Sequence, residues 1–256
     1  MRGHINYRGI AFVLLVTGVL QVVTQVGTLS DYLPSPSTIG REFVRNLFGG
    51  GSLATQLPQT LTVFAVGIGL AAAIGIVVGL CGGLSPRFDT AVKLTIELLR
   101  PLPAVALIPL LILVFGLGLQ MRIITVTYAA IWPILLNTHY GVRGVDAMAV
   151  DVGRNFGLSR REIIRRIVLP SALPSLVTGL RVAATMALAV AVVAELIAGS
   201  GGLGYVIALS EQSGNVALLY SAVLLVGVLG YLINTIVVVV NRRILFWVPG
   251  NRTEKR

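Results

Sequence analysis

The sequence predicts an all-α polytopic membrane protein, with about six transmembrane helices and a cytoplasmic helix-turn-helix. Three observations predict it. Of 256 residues, 55% are hydrophobic and only 12% charged, with a mean hydropathy of +0.89, which is more apolar surface than a soluble domain of this size can bury. The apolar residues gather into runs without Asp, Glu, Lys or Arg: Gly9 to Ser30, Asn46 to Pro86, Pro101 to Met121, Ile123 to Val142 and Gln212 to Asn241. A helix crosses a bilayer with about 20 such residues. One connection, 143–170, is both strongly charged and strongly patterned. Together these exclude a cytosolic enzyme, a disordered chain and a disulfide scaffold. Barrel strands would alternate over about 10 residues instead of running continuously apolar.

In chain order, the first span is expected over 9–29; it is longer than a signal-peptide core and is read as retained. Residues 34–48 read as a short amphipathic helix with Phe43, Leu47 and Phe48 on its apolar side, ended by Gly49-Gly50-Gly51. Spans follow over 59–84, 98–117, 121–141, 172–198 and 216–243. Arg100-Pro101-Leu102-Pro103 interrupts the third, since each proline removes a backbone donor, so residues 88–100 are expected as a separate tilted helix at the membrane surface. No second domain is indicated, and 1–256 is read as a single transmembrane domain.

Six spans put both termini on one side. If that side is the cytoplasm, the inner segments hold Arg2, Arg8, Arg87, Lys93, Arg143, Arg154, Arg160, Arg161, Arg165, Arg166, Arg242, Arg243, Arg252, Lys255 and Arg256, against Arg41, Arg45 and Arg122 outside. The net charge of +10 is thus read as orientation and attraction to anionic lipid, with no nucleic-acid partner. Cys81 is the one cysteine, and with only His4 and His139 beside it no metal site is expected. The formal sequon at Asn251 falls on the inner side.

The 143–170 segment reads as two helices. Residues 145–156 form the first, and Gly157 ends it with a positive φ. Ser159 and Glu162 make a capping box for the second, where Ile163, Ile164, Ile167 and Val168 oppose Arg160, Arg161, Arg165 and Arg166. Pro170 closes the segment. On helix physics alone such a pair either rests on lipid head groups or forms a docking surface for a cytosolic partner.

Asp151-Val152-Gly153, three residues, Gly157, nine residues, Ile167-x-Leu169-Pro170 resembles the signature loop of ATP-binding-cassette importer permeases, whose pattern opens with Glu-Ala-Ala. Leu33-Pro34-Ser35-Pro36-Ser37, Leu99-Arg100-Pro101-Leu102-Pro103, Ile108-Pro109-Leu110, Phe115-Gly116-Leu117-Gly118 and Gly202-Leu203-Gly204-Tyr205 are similar to the sulfonate, nitrate and taurine branch. The opening triplet departs from the pattern, and Gly153 is read as ordinary drift. The resemblance implies a permease homodimer in the bacterial cytoplasmic membrane, an external solute-binding protein, and two cytosolic ATPases. These grip the loop through Asp151, Gly153, Gly157, Leu158, Ser159, Glu162, Ile167, Leu169 and Pro170, and they alone bind ATP and magnesium. The chain's own lysines, Lys93 and Lys255, follow Val92 and Glu254, so no phosphate-binding Gly-Lys-Ser/Thr loop exists here. The chain is therefore not read as an enzyme and needs no cofactor of its own. A gradient-driven carrier or a channel is the alternative, though a proton-coupled carrier usually shows paired intramembrane acids.

Within the spans, Gly67, Ala71, Gly75, Gly79 and Gly83 place a small residue every fourth position, matched by Gly179, Ala183, Ala187 and Ala191. Such ladders let helix backbones approach closely, either as fixed packing or as a sliding interface. Arg181 lies about 13 Å into its span at 1.5 Å per residue. Arg100 sits three residues after Glu97 and can pair with it. Both arginines read either as structural pairs or as attractors of an anionic solute. Glu195 would repel an anion and is assigned to an outer gate or to docking of the binding protein. Asn137 with His139 reads as an interfacial hydrogen-bonded pair, and Asn234 as a bond across a helix interface. Trp132, Trp247, Tyr140 and Tyr7 are expected in aromatic belts at span ends.

Overall fold

A computed structural model describes residues 7–26 and 33–246. Among them every regular element is helical: α1 (Tyr7–Val26), α2 (Pro36–Phe48), α3 (Ser52–Leu84), α4 (Pro86–Leu99), a 3₁₀ turn (Ala104–Leu107), α5 (Ile108–Phe115), α6 (Leu119–Arg143), α7 (Ala147–Asn155), α8 (Arg160–Ile163), a π turn (Ile164–Val168), α9 (Leu169–Ala198), α10 (Leu203–Gln212) and α11 (Val216–Ile244). Four stretches are long and apolar enough to cross a bilayer: Ser52–Leu84, Leu119–Arg143, Arg160–Ala198 and Val216–Ile244. The proline-interrupted third span is bent by 81° between Pro86–Leu99 and Ala104–Phe115, and counts as a fifth if taken as one span. In α1 the apolar stretch covers Leu14–Thr24, and residues 27–29 of the expected first span lie outside the described residues. So do His4, Trp247, the sequon at Asn251, and the terminal cations Arg2, Arg252, Lys255 and Arg256.

The core forms around α6. Both small-residue ladders turn toward it, α3 from one side and α9 from the other, and Val63, Ala71, Val126, Ala130, Ile134, Ala183, Ala187 and Ala191 are buried together. Closeness requires the missing side chains. A Cβ at Gly79 would lie 2.6 Å from the Leu135 carbonyl oxygen, one at Gly83 would lie 2.6 Å from the Val142 Cβ, and one at Gly179 would lie 2.7 Å from the Pro133 carbonyl oxygen. The ladders are thus packing faces within the protomer.

A second buried group joins α10 and α11 to α2 and α3, through Leu53, Leu188, Leu203, Val206 and Leu225, with Phe43 and Leu47 packed against it. The amphipathic α2 is capped by Ser35, but Phe48 points outward, 77% exposed, because it sits one residue, about 100° around the helix, from the bundle-facing Leu47.

Candidate functional site: a capped turn and a buried carboxylate at opposite ends

The loop after α6 has the expected caps and a different continuation. Asp146 accepts from the Met148 N–H (2.9 Å) to start α7. At the other end Gly157 has φ +74°. Its N–H donates to the Arg154 carbonyl at 2.9 Å, and the Leu158 N–H reaches the Gly153 carbonyl at 3.0 Å. These two bonds are a Schellman motif, which only a residue tolerating the left-handed region closes without strain. Ser159 and Glu162 then satisfy each other's backbone N–H groups, a complete capping box. Asp151 pairs with Arg154 (3.0 Å) and Glu162 with Arg166 (3.6 Å) on the water side.

The second helix does not stop at Pro170. It passes through a π turn over Ile164–Val168 directly into α9, making one helical stretch from Arg160 to Ala198. The Leu169 N–H bonds back to Ile164, five residues earlier, and this wider turn gives the Pro170 ring room against the preceding carbonyls. The capped turn is therefore rigidly joined to a membrane-crossing helix.

Inward, Ile163 and Val168 bury against Val142 and Ala172, with Leu80, Leu84, Val145 and Leu158 alongside. A Cβ at Gly153 would lie 2.7 Å from the Ile167 Cδ1, the movable tip of a flexible side chain. Outward, Met148, Val152 and Phe156 form an i, i+4, i+8 apolar stripe with no cover, Phe156 being 83% exposed.

The second cluster lies at the far end of α9, 30 residues and about 45 Å along the helix. Glu195, assigned from the sequence to an outer gate or to docking of the binding protein, is fully buried there. Its Oε2 accepts from the Thr60 hydroxyl (2.9 Å) and the Gly204 N–H (3.0 Å). Thr60 in turn accepts the Leu203 N–H at 2.8 Å, and Gln56 accepts the Gly202 N–H at 2.8 Å. From α6, the buried Arg122 donates to the Gly201 carbonyl at 2.8 Å. Side chains of α3, α6 and α9 thus hold the 199–204 turn, whose Gly199, Gly201 and Gly202 all have positive φ. Neither Arg122 nor Gln56 and Thr60 was marked by the sequence, since a lone Arg at a span edge and polar residues in a long apolar helix carry no local signal. The Gly-Gly-Leu-Gly run was the available clue.

The remaining polar residues separate. Arg181 is exposed and donates from Nε to the Asn234 Oδ1 of α11 (3.2 Å), so Asn234 does bond across an interface and Arg181 has no carboxylate partner among the described residues. Glu97 pairs with Lys93 (3.8 Å) and not with Arg100, because i, i+4 within α4 keeps both on one face while Arg100 begins the turn that follows. Asn137 bonds its own helix at Pro133, whereas His139 faces Asp89 at 3.7 Å, so these two do not pair. Trp132 stands mid-helix against Tyr128 rather than in a belt at a span end. Arg100, Asp89, His139 and Arg143 line a cavity of about 640 Å³ between α4 and α6.

The chain belongs to the family of binding-protein-dependent transport system inner membrane components, whose family model matches residues 71–246. It is 31% identical over 241 residues to a Bacillus subtilis (strain 168) protein named as an aliphatic sulfonates transport permease, covering 94% of this chain and 87% of that one. It is 28% identical to the taurine transport system permease protein of Escherichia coli (strain K12), covering 78% and 73% respectively. Its fold is similar to that of one chain in a structure of inward-facing conformations of the MetNI methionine ABC transporter, with a TM-score of 0.65, 22% identity and coverage of 75% of this chain and 96% of that chain.

Proposed function

We propose that this chain is the membrane-spanning permease subunit of an ATP-driven importer for a small anionic solute of the sulfonate, taurine or nitrate kind. Two copies form the pathway in the bacterial cytoplasmic membrane, with both termini and the 143–170 loop in the cytoplasm. Two ATPase subunits bind ATP and magnesium and grip the loop, and an external binding protein delivers the solute. The uncovered Met148, Val152 and Phe156 stripe carries this reading, because it projects from a turn that is capped on both sides and continuous with α9. A push on that turn is transmitted along a crossing helix packed on α6. The clasp around Glu195 closes the opposite end.

The test is co-purification in mild detergent from cells expressing the chain with its flanking genes. A P-loop ATPase is expected with the wild type and lost in Met148→Ser/Phe156→Ser, with the permease still at normal levels. Solute uptake driven by an ion gradient with no ATPase bound would make the chain a carrier and end the proposal.

A further inference from the structure

We infer that the cavity between α4 and α6 is a solute site for a small oxyanion, centred on Arg100; this rests on the importer reading above. The cavity measures about 640 Å³, within the usual range for small-ligand pockets. Its lining holds three cations, Lys93, Arg100 and Arg143, against two carboxylates, Asp89 and Glu97. The carboxylates are already engaged. Asp89 meets Arg143 at 2.8 Å and His139 at 3.7 Å, and Glu97 meets Lys93 at 3.8 Å. Arg100 alone among these cations has neither an ion pair nor a hydrogen bond among the described residues.

Three structural features surround that charge. Arg100 ends α4 where Pro101 and the 81° bend turn the chain into the 3₁₀ turn and α5, which pack on α6. Tyr128 of α6 donates its hydroxyl to the Leu99 carbonyl, which pins the bend beside the cavity. Ile96, Leu135 and Leu136 supply apolar wall beside the exposed Arg100. A planar guanidinium with five donors fits a charge shared over two or three oxygens, as in a sulfonate, nitrate or carboxylate. The cavity runs along α6 from Leu135 to Arg143, toward the 143–170 loop, so the occupant would lie on the loop side of the bundle. Arg181 does not line it and remains bonded to Asn234.

The same chemistry is offered by a phospholipid head group, and the experiment separates the two sources. The permease–ATPase complex is placed in phosphatidylcholine nanodiscs without binding protein, and ethanesulfonate binding is measured by equilibrium dialysis at low salt. Saturable binding is expected, weakened at least tenfold in Arg100→Gln and partly recovered in Arg100→Lys. Leu136→Trp, which fills the cavity and keeps every charge, should also abolish it, whereas Arg45→Gln on α2 should leave it unchanged. Unaltered binding in Arg100→Gln or in Leu136→Trp overturns the assignment, as does the absence of saturable binding. Displacement of ethanesulfonate by added phosphatidylglycerol overturns it in favour of a head-group site. A complex that retains its ATPase and hydrolyses ATP yet binds no ethanesulfonate removes the cavity assignment alone, since the importer reading is judged by ATPase co-purification before any probe is added.

Discussion

Replacing Gly157 by valine perturbs one backbone angle and nothing else. The glycine has φ +74°, and a Cβ built there meets no atom within 4 Å, so the added side chain causes strain without collision. Holding a β-branched residue in that region costs about 1–3 kcal/mol. At tenfold per 1.4 kcal/mol, the native turn becomes about 5- to 150-fold less populated relative to turns that release it. Relief comes from breaking the Leu158 to Gly153 and Gly157 to Arg154 bonds, which re-aims Phe156 and the capped start of α8. The hydrophobic contacts of Ile163 and Val168 with Val142 and Ala172 lie on the other side of the turn and should hold. Membrane levels are therefore expected to stay normal, while ATPase co-purification in detergent and solute uptake in proteoliposomes fall together. A graded series sharpens the test: asparagine, which tolerates the left-handed region, should retain most coupling, alanine less, and valine least. Full uptake by Gly157→Val with its ATPase bound would refute the reasoning, and so would asparagine proving as damaging as valine.

Three further outcomes are expected. Gly79→Val should remove folded protein from the membrane, because its Cβ would stand 2.6 Å from a backbone oxygen of α6, whereas Gly69→Val, with nothing within 4 Å, should express normally; equal expression of the two, measured by fluorescence-detected size exclusion, would contradict the packing account. Glu195→Leu should lower the melting temperature in detergent, since each buried donor left without its acceptor costs about 1–3 kcal/mol, while Glu195→Gln keeps an acceptor and should lose much less; an unchanged melting temperature in Glu195→Leu would show that the 199–204 turn is held by other means. Single cysteines at Ser37 and Ser159, in a Cys81→Ser background, should label from opposite faces in intact and inverted vesicles, and labelling of both from outside intact cells would sink the six-span topology.

Much of this molecule is local, and local features are legible in a chain read once through. The ladder from Gly67 to Gly83, the Ser159–Glu162 capping box and the positive φ of Gly157 each depend on residues within about four positions of one another, the range over which helix geometry couples side chains. The same holds for the proline break near Arg100. What required the folded structure was every contact made across spans. Glu195 read only as a gate or docking charge near a span end because nothing near it in sequence announces Thr60, 135 residues away, or the Gly204 N–H that folds back upon it. Arg100 and Glu97 satisfied a pairing rule on paper, yet within α4 Glu97 pairs with Lys93, and Arg100 has no ion pair among the described residues. The run of Ile164 to Pro170 read as an ending became a continuous π turn into α9. Sequence by itself thus determined which segments are apolar helices and where each is capped or broken, since those are set by periodicity and backbone chemistry. Which faces meet, which charges are neutralised and which one is left open to a cavity were decided by tertiary packing, because burial and hydrogen-bond satisfaction are properties of the assembled bundle and of no single helix.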